Sequence, residues 1–317
     1  MRSGDEVTGL IRLDIVGKMK RDRSGHILVA QNARVFYVPT TKAASSTIRL
    51  LLAEANGTYH PEKLRWTDAP NVSVSQGIHN LQVSGLKYFE FLRSSEREHI
   101  LRSLEWWRVG LLRDPYARLF SAWENRILLQ APNPWSKAFW QKCSDELVDG
   151  RIDYAASFRK FVQVLDTEPE IFGSDPHFNS QRAHLGGDQY SFTHLIRIDA
   201  PGELAAFAAQ LAERVGKSIE PRRLNEGLGL KYVDVMDDTT ATVIERIYHE
   251  DFDNYGFVKG RFPTAPRTVL ASVGETKAIY YARDITERMI QLSQLARYRK
   301  RSRYLVAQLL RNFRIRK

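Results

Sequence analysis

Twice within the first 127 residues, a short run of β-forming apolar residues ends in a polar turn and passes directly into a helix-forming segment. The first run is Arg34-Val35-Phe36-Tyr37-Val38, closed by Pro39 and followed by Thr40-Thr41-Lys42-Ala43-Ala44-Ser45-Ser46-Thr47, then by a leucine-rich stretch from Ile48 to Ala55. The second is Trp106 to Leu112, followed by Arg113-Asp114-Pro115 and a pattern that puts Leu119, Ala122, Trp123 and Ile127 on one side of a helix. Asp114 suits the N-cap and Pro115 the first helical position, where a missing N–H costs nothing. Strands joined through a helix run parallel, and the connecting helices then cover the faces of the sheet.

The pattern continues along the chain. Ser95-x-x-Glu98 reads as a capping box for a helix to about Leu104, and Asp153 as the cap of a helix through Leu165. A long loop is expected from Thr167 to Tyr190, a strand from Phe192 to Ile198 and a helix from Pro201 to Val215. Asp238 is the expected cap of a last core helix ending near His249, while residues 1–33 are mixed, with a turn at Arg23-Ser24-Gly25. The expected fold class is therefore α/β: a P-loop-like parallel sheet with helices on both faces, plus a C-terminal helical basic tail. The corresponding division is a catalytic domain over 1–270, with its core at about 34–257, and a basic helical extension over 271–317.

A net charge of +10 would suggest a nucleic-acid partner if it were spread over the fold. It is not: Arg297 to Lys317 holds nine Lys or Arg and no Asp or Glu, which leaves +1 for the other 296 residues. No nucleic-acid partner is expected. The single cysteine, Cys143, excludes an intrachain disulfide and fits a reducing compartment. With no secretory pattern at Met1-Arg2-Ser3-Gly4-Asp5-Glu6, a cytoplasmic protein is expected, with a membrane-peripheral placement as a second reading. That second reading comes from the tail. There Met289, Leu292 and Leu295, then Leu305, Val306, Leu309, Leu310 and Phe313, form apolar stripes beside concentrated positive charge. Such a helix suits an anionic membrane surface, and equally a contact with the body or a second subunit.

Both polar turns fall where a parallel sheet binds ligands, beyond the carboxyl ends of strands. In Thr41, Lys42, Ala43, Ala44, Ser45, Ser46 and Thr47, small residues let backbone N–H groups approach an anion at a helix start. The hydroxyls add donors and Lys42 adds a mobile cation. A serine-rich helix cap would look similar, and the sequence contains no G-x-x-x-x-G-K-[ST] match.

The second turn is more specific. Arg113-Asp114-Pro115-Tyr116-Ala117-Arg118-Leu119-Phe120-Ser121-Ala122-Trp123 resembles the 3′-phosphate motif of the carbohydrate sulfotransferases that include the chondroitin and heparan 2-O enzymes. The resemblance implies a sulfotransferase that uses 3′-phosphoadenosine 5′-phosphosulfate (PAPS) and no metal, with Arg113 and Ser121 on the 3′-phosphate. It makes Lys42, Ala44, Ser45 and Ser46 the 5′-phosphosulfate site, although Thr40 and Thr41 here separate Lys42 from the proline that the family places directly before it. The implied acceptor is a hydroxyl of a carbohydrate or glycolipid. Asp175-Pro176-His177-Phe178-Asn179-Ser180-Gln181 is similar to the family's His-Trp-x-Pro-Gln element, and Tyr248 to Phe257 to its closing aromatic element, whose spacing also suits plain core packing.

Sulfuryl transfer is an in-line displacement governed by positioning and electrostatics. Lys42 can stabilise the leaving oxygen, and a histidine of ordinary pKa near about 6.5 can take the acceptor proton. His79, between the two turns, and His177 are both candidates, while His184 and His194 are expected to be structural. A kinase-like phosphotransferase or a non-enzymatic basic binding module would share some of these features; the first requires a magnesium-binding carboxylate, the second binding that survives loss of Lys42 and Arg113.

Overall fold

The computed structural model describes residues 26–66, 73–130, 137–173, 175–222, 224, 227–289, 291–292 and 295. Its centre is a five-stranded sheet built from β1 (Leu28–Ala30), β2 (Val35–Val38), β3 (Lys87–Tyr88), β4 (Trp107–Leu112) and β5 (His194–Arg197), in the order β3-β1-β2-β4-β5. β2, β4 and β5 pair in parallel, Val35 opposite Trp107 and Val109 opposite His194. The sheet is mainly, not wholly, parallel: β1 runs antiparallel to both neighbours. The expected all-parallel sheet missed this strand because a three-residue Leu-Val-Ala run carries no alternation, and only its hairpin with β2 through Gln31 to Arg34 makes it a strand.

Every residue of β2 is buried, as a strand covered on both faces requires. Val35 and Tyr37 join the cluster under α1 (Ser45–Asn56), while Phe36 and Val38 join the cluster on the opposite face. The latter cluster takes in much of α3 (Pro115–Trp123) and α4 (Tyr154–Thr167), which follow α2 (Ser94–Arg102) in the chain. Later come α5 (Glu203–Val215), which shares the α1 face, and α6 (Asp238–Ile247) with α7 (His249–Tyr255), which share the other. The core so formed places the turns after β2 and β4 side by side.

Two expected caps shift. The carboxylate of Glu96, not Glu98, accepts from the backbone N–H at the start of α2, that of Arg93, because the cap lies two residues earlier than expected; Glu98 pairs with Arg102 instead. Asp237, not Asp238, caps α6 by accepting from Thr240 N–H. Asp114 and Asp153 cap as expected. The stretch 167–190 contains short helical turns at Pro169–Ile171, Pro176–Phe178 and Gln181–His184.

Near residue 270 the chain is tied to the body: Ala271 N–H donates to Ile152, and the Arg283 guanidinium forks onto Asp145 at 2.6 and 2.8 Å. The chain is helical over 273–289, and the rest of the expected helical tail from residue 296 onward lies outside the described residues. Among the described residues, no helix is long and apolar enough to cross a membrane.

The closing aromatic element does more than pack. Phe252 and Phe257 are core residues, but Asp251, fully buried at the start of α7, accepts from the backbone N–H groups of Gln181 and Arg182, each at 2.9 Å. Tyr248 donates its hydroxyl to the Phe178 carbonyl at 2.8 Å. Asp251→Ala would leave two amides without that acceptor and should lower stability by about 2–4 kcal/mol, read as the urea midpoint, while Asp251→Asn, keeping one acceptor oxygen, should lose less.

Candidate active site

The turn after β2 enters α1 through two non-glycine residues in the left-handed region, Lys42 (φ 61°) and Ala44 (φ 51°). Such a conformation costs about 1–2 kcal/mol per residue, and it persists at functional sites because it aims backbone groups inward. Ala44 is the N-cap of α1 yet offers no side-chain acceptor, so the first-turn amides keep their positive end for something else. Thr40 is fully buried with its hydroxyl unpartnered. Ala43 is buried in the core.

The turn after β4 locks onto the first. The Arg113 guanidinium donates to the Lys42 carbonyl at 3.0 Å. The fully buried Gln181 side chain grips the Arg113 backbone from both sides: its oxygen accepts Arg113 N–H at 2.8 Å and its nitrogen donates to Arg113 O at 2.9 Å. Among the described residues neither Lys42 nor Arg113 has a carboxylate within ion-pair distance. Burial pushes the Lys42 pKa down to about 7, helped by the Arg126 and Arg113 charges and opposed by Glu124 and Asp175. Arg113 is lowered too, mainly by burial. On the same helix Ser121 is half-buried, with no partner for its hydroxyl among the described residues.

Beyond Lys42 lie both histidines. His177 Nδ1 is 2.6 Å from the Asp175 carboxylate, which is fully buried and also accepts His177 N–H at 3.0 Å. Arg126 lies against the same ring, with Nη2 3.1 Å from Nδ1 and 3.3 Å from Nε2, and pairs with Asp175 at 3.3 Å. Arg126 is delivered by a single π-helical turn, Glu124–Leu128, that continues α3, a distortion common at functional sites. His79 follows the short helix Val74–Gly77, and its Nε2 is 3.0 Å from the Ser46 hydroxyl. Burial lowers both rings to about 4, with Arg49 and His177 adding to the effect on His79 and Arg126 to that on His177; both are neutral at pH 7. The Asp175 carboxyl, which burial alone would raise, is held well below the usual range by the His177 N–H and the Arg126 charge.

Not every expected site residue points into this space. Thr41 is 3.3 Å from the Pro176 carbonyl and 3.0 Å from His184 Nε2, and Thr47 donates to the Arg222 carbonyl at 3.0 Å, so both hydroxyls fasten the turn to its surroundings. Ser45 is half-buried and its hydroxyl has no partner among the described residues. Asp175, Arg126, Gln181 and Glu124 carried no expected role. Asp175 was visible in principle: Asp-Pro-His repeats the Asp-Pro logic of Asp114-Pro115, an N-cap that also reaches the residue after the proline.

Two strand-to-helix turns with unpaired cations, left-handed backbone and a free helix start make a cradle for a doubly anionic ligand. A family model described as the sulfotransferase family matches residues 25–258. The chain belongs to the sulfotransferase family. That makes it a transferase with sulfotransfer chemistry, and members of the family generally use PAPS as sulfate donor. No curated protein and no solved structure matches the chain. The donor fits the residues present: the orphaned Thr40 hydroxyl, the uncapped start of α1 and the unpaired Lys42 and Arg113 all call for anionic oxygens.

The buried histidines give a testable pH dependence. His79 and His177 hold folded-state values of about 4, and His184 about 3, against an unfolded value of 6.5. Between these limits the unfolded chain binds more protons than the folded one, so stability present above pH 6.5 is lost as pH falls towards 4. Melting temperature should drop across this window, and His79→Gln should flatten part of the slope; a melting temperature constant from pH 7 to 5 would contradict neutral burial.

Proposed function

We propose that this sulfotransferase moves a sulfuryl group from PAPS to a hydroxyl of a carbohydrate or glycolipid acceptor. The observation that carries the reading is the pairing of two unpaired cations, Lys42 and Arg113, at adjoining helix starts, joined by the 3.0 Å bond between the Arg113 guanidinium and the Lys42 carbonyl. In this reading Arg113 and Ser121 hold the 3′-phosphate, and Lys42, the α1 amides, Ser45 and Ser46 hold the 5′-phosphosulfate. PAPS supplies, when bound, a sulfuryl group already attached to a phosphate leaving group.

The chain's own groups do the rest. The Lys42 ammonium balances charge that develops at the leaving oxygen, which lowers the barrier more than it strengthens ground-state binding. Lys42 has a value of about 7 without a ligand. An adjacent anion favours the ammonium, so binding draws a proton onto Nζ near neutral pH. His177 is the better-supported base. It is neutral at pH 7, and Asp175 holds its Nδ1–H and would stabilise the imidazolium formed when Nε2 takes the acceptor proton. His79, 3.0 Å from the Ser46 hydroxyl, has no carboxylate on its ring among the described residues and serves to fix that turn.

Labelled PAPS and a panel of glycans test the reading directly, with transfer to at least one glycan expected. Lys42→Ala should cut turnover by orders of magnitude and leave affinity for adenosine 3′,5′-bisphosphate nearly intact. Arg113→Ala should weaken that affinity by about 2–4 kcal/mol, and His177→Ala should abolish transfer where His79→Ala only reduces it. Calorimetry that finds equal affinity for adenosine nucleotides with and without the 3′-phosphate would sink the assignment of Arg113. Calorimetry in buffers of different ionisation enthalpy should also register proton uptake on binding at pH 7.5, lost in Lys42→Ala.

A further inference from the structure

The helix over 273–289 meets the body with one face. On that face Ile279 joins the core, the Thr276 hydroxyl accepts Ile152 N–H at 3.3 Å, and Arg283 donates to the Leu128 carbonyl at 2.8 Å besides gripping Asp145. The opposite face carries Tyr281, Ile285 and Met289, and the same stripe continues at Leu292 and Leu295. Spacings of four, four, three and three residues hold these side chains within about a third of the circumference of an α-helix. All five are exposed, Tyr281 by 67%, Ile285 by 59% and Leu292 by 64%. Single exposed apolar residues are ordinary on a protein surface, but several in register along one face mark a surface that something covers. The body does not cover it, because the helix is fastened to the body by its other side.

Charge decides between the remaining occupants. Lys277 and Arg288 are exposed on the same face, with Asp284 at its border. Directly beyond Leu295, the sequence from Arg297 to Lys317 carries nine Lys or Arg and no Asp or Glu. Leu305, Leu309 and Phe313 recur among those charges at a four-residue spacing. A second copy would bring its own nine cations and no acid to match them, so pairing stripe to stripe would work against like-charge repulsion. An anionic lipid surface reverses the sign. Its headgroups attract each cation and its hydrocarbon boundary takes the apolar stripe, the two contributions that hold an interfacial helix.

We propose that Tyr281, Ile285, Met289, Leu292 and Leu295, with the basic segment that follows them, dock this protein on the surface of an anionic lipid bilayer. Vesicle binding is read without donor or acceptor, so the docking surface stands or falls apart from the sulfotransfer reading. The full chain is sedimented with two kinds of vesicle, phosphatidylcholine alone and phosphatidylcholine mixed with phosphatidylglycerol. The wild type should bind the mixed vesicles at low salt, come off them as salt rises, and leave the neutral ones unbound. The double variant Ile285→Ser with Leu292→Ser should bind at least about tenfold more weakly. Replacing Arg299, Arg301 and Arg303 together by Gln should weaken binding about a hundredfold. The double variant should melt as the wild type does, because both side chains are exposed; a melting temperature several degrees lower would mean that the body covers the stripe, and overturns the docking surface. No binding of the wild type to the mixed vesicles at low salt overturns it, and so does equal binding by the double variant, which would leave charge alone to hold the protein. Sedimentation equilibrium without lipid should find a monomer; a dimer that the double variant dissolves assigns the stripe to a second copy instead.

Discussion

The bond from the Arg113 guanidinium to the Lys42 carbonyl is what turns two loops into one site. Each loop follows a strand, and β2 and β4 are direct parallel neighbours, so both helix starts emerge from the same edge of the sheet. Parallel pairing alone sets their spacing; it does not set the direction of either loop. Arg113 does so by spending one donor on the Lys42 carbonyl, which helps hold Lys42 in a left-handed conformation it would not choose alone. Among the described residues no carboxylate pairs with the rest of its fork, so the side chain that joins the two loops keeps an uncompensated charge between them.

That arrangement depends on the segment Asp175 to His184, two short helical turns that side chains fasten to the body. Gln181 clamps Arg113, the buried Arg118 donates to the Asn179 carbonyl at 2.5 Å, and Asp251 and Tyr248 fasten the segment from α7 and the residue before it. His177 thus reaches the cation cluster on a loop that is as constrained as a helix. Water competes poorly for such bonds because most of these groups are buried, and an unmade bond there carries the full desolvation cost.

Much of this was legible in the residues, for identifiable reasons. The start of α3 was legible because Asp-Pro after an apolar run marks a helix start, whereas the weight given to Arg113 and Ser121 came from the family resemblance. The β2–α1 turn was legible as a strand-to-helix turn, although its Thr41 and Thr47 hydroxyls fasten it to its surroundings. β1 was not legible, since three apolar residues acquire a conformation only from the strand they pair with. The role of Asp251 was hidden inside an aromatic element whose spacing points to packing, because a carboxylate's amide partners lie 70 residues away. The coupling of Asp175, Arg126 and His177 was hidden for a different reason: Arg126 sits on a π-turn, which a helical periodicity does not anticipate.

The distribution of charge then explains why the site is built from cations without counter-ions. Several arginines elsewhere among the described residues pair with carboxylates, as Arg159 does with Asp237 at 2.8 Å. Among the described residues Lys42, Arg113 and Arg49 have no carboxylate within ion-pair distance, and burial lowers the pKa of each. Native stability is small enough that several such groups are a real burden, so the surrounding core has to offset them: β2 is buried on both faces, and α3, α4 and α6 close over the other side. The same desolvation that makes these cations costly also strengthens their pull on an arriving anion, because charges interact more strongly out of water. A carboxylate beside each cation would stabilise the empty fold and weaken ligand binding, and for that reason the destabilised free state is a consequence of what the site has to bind.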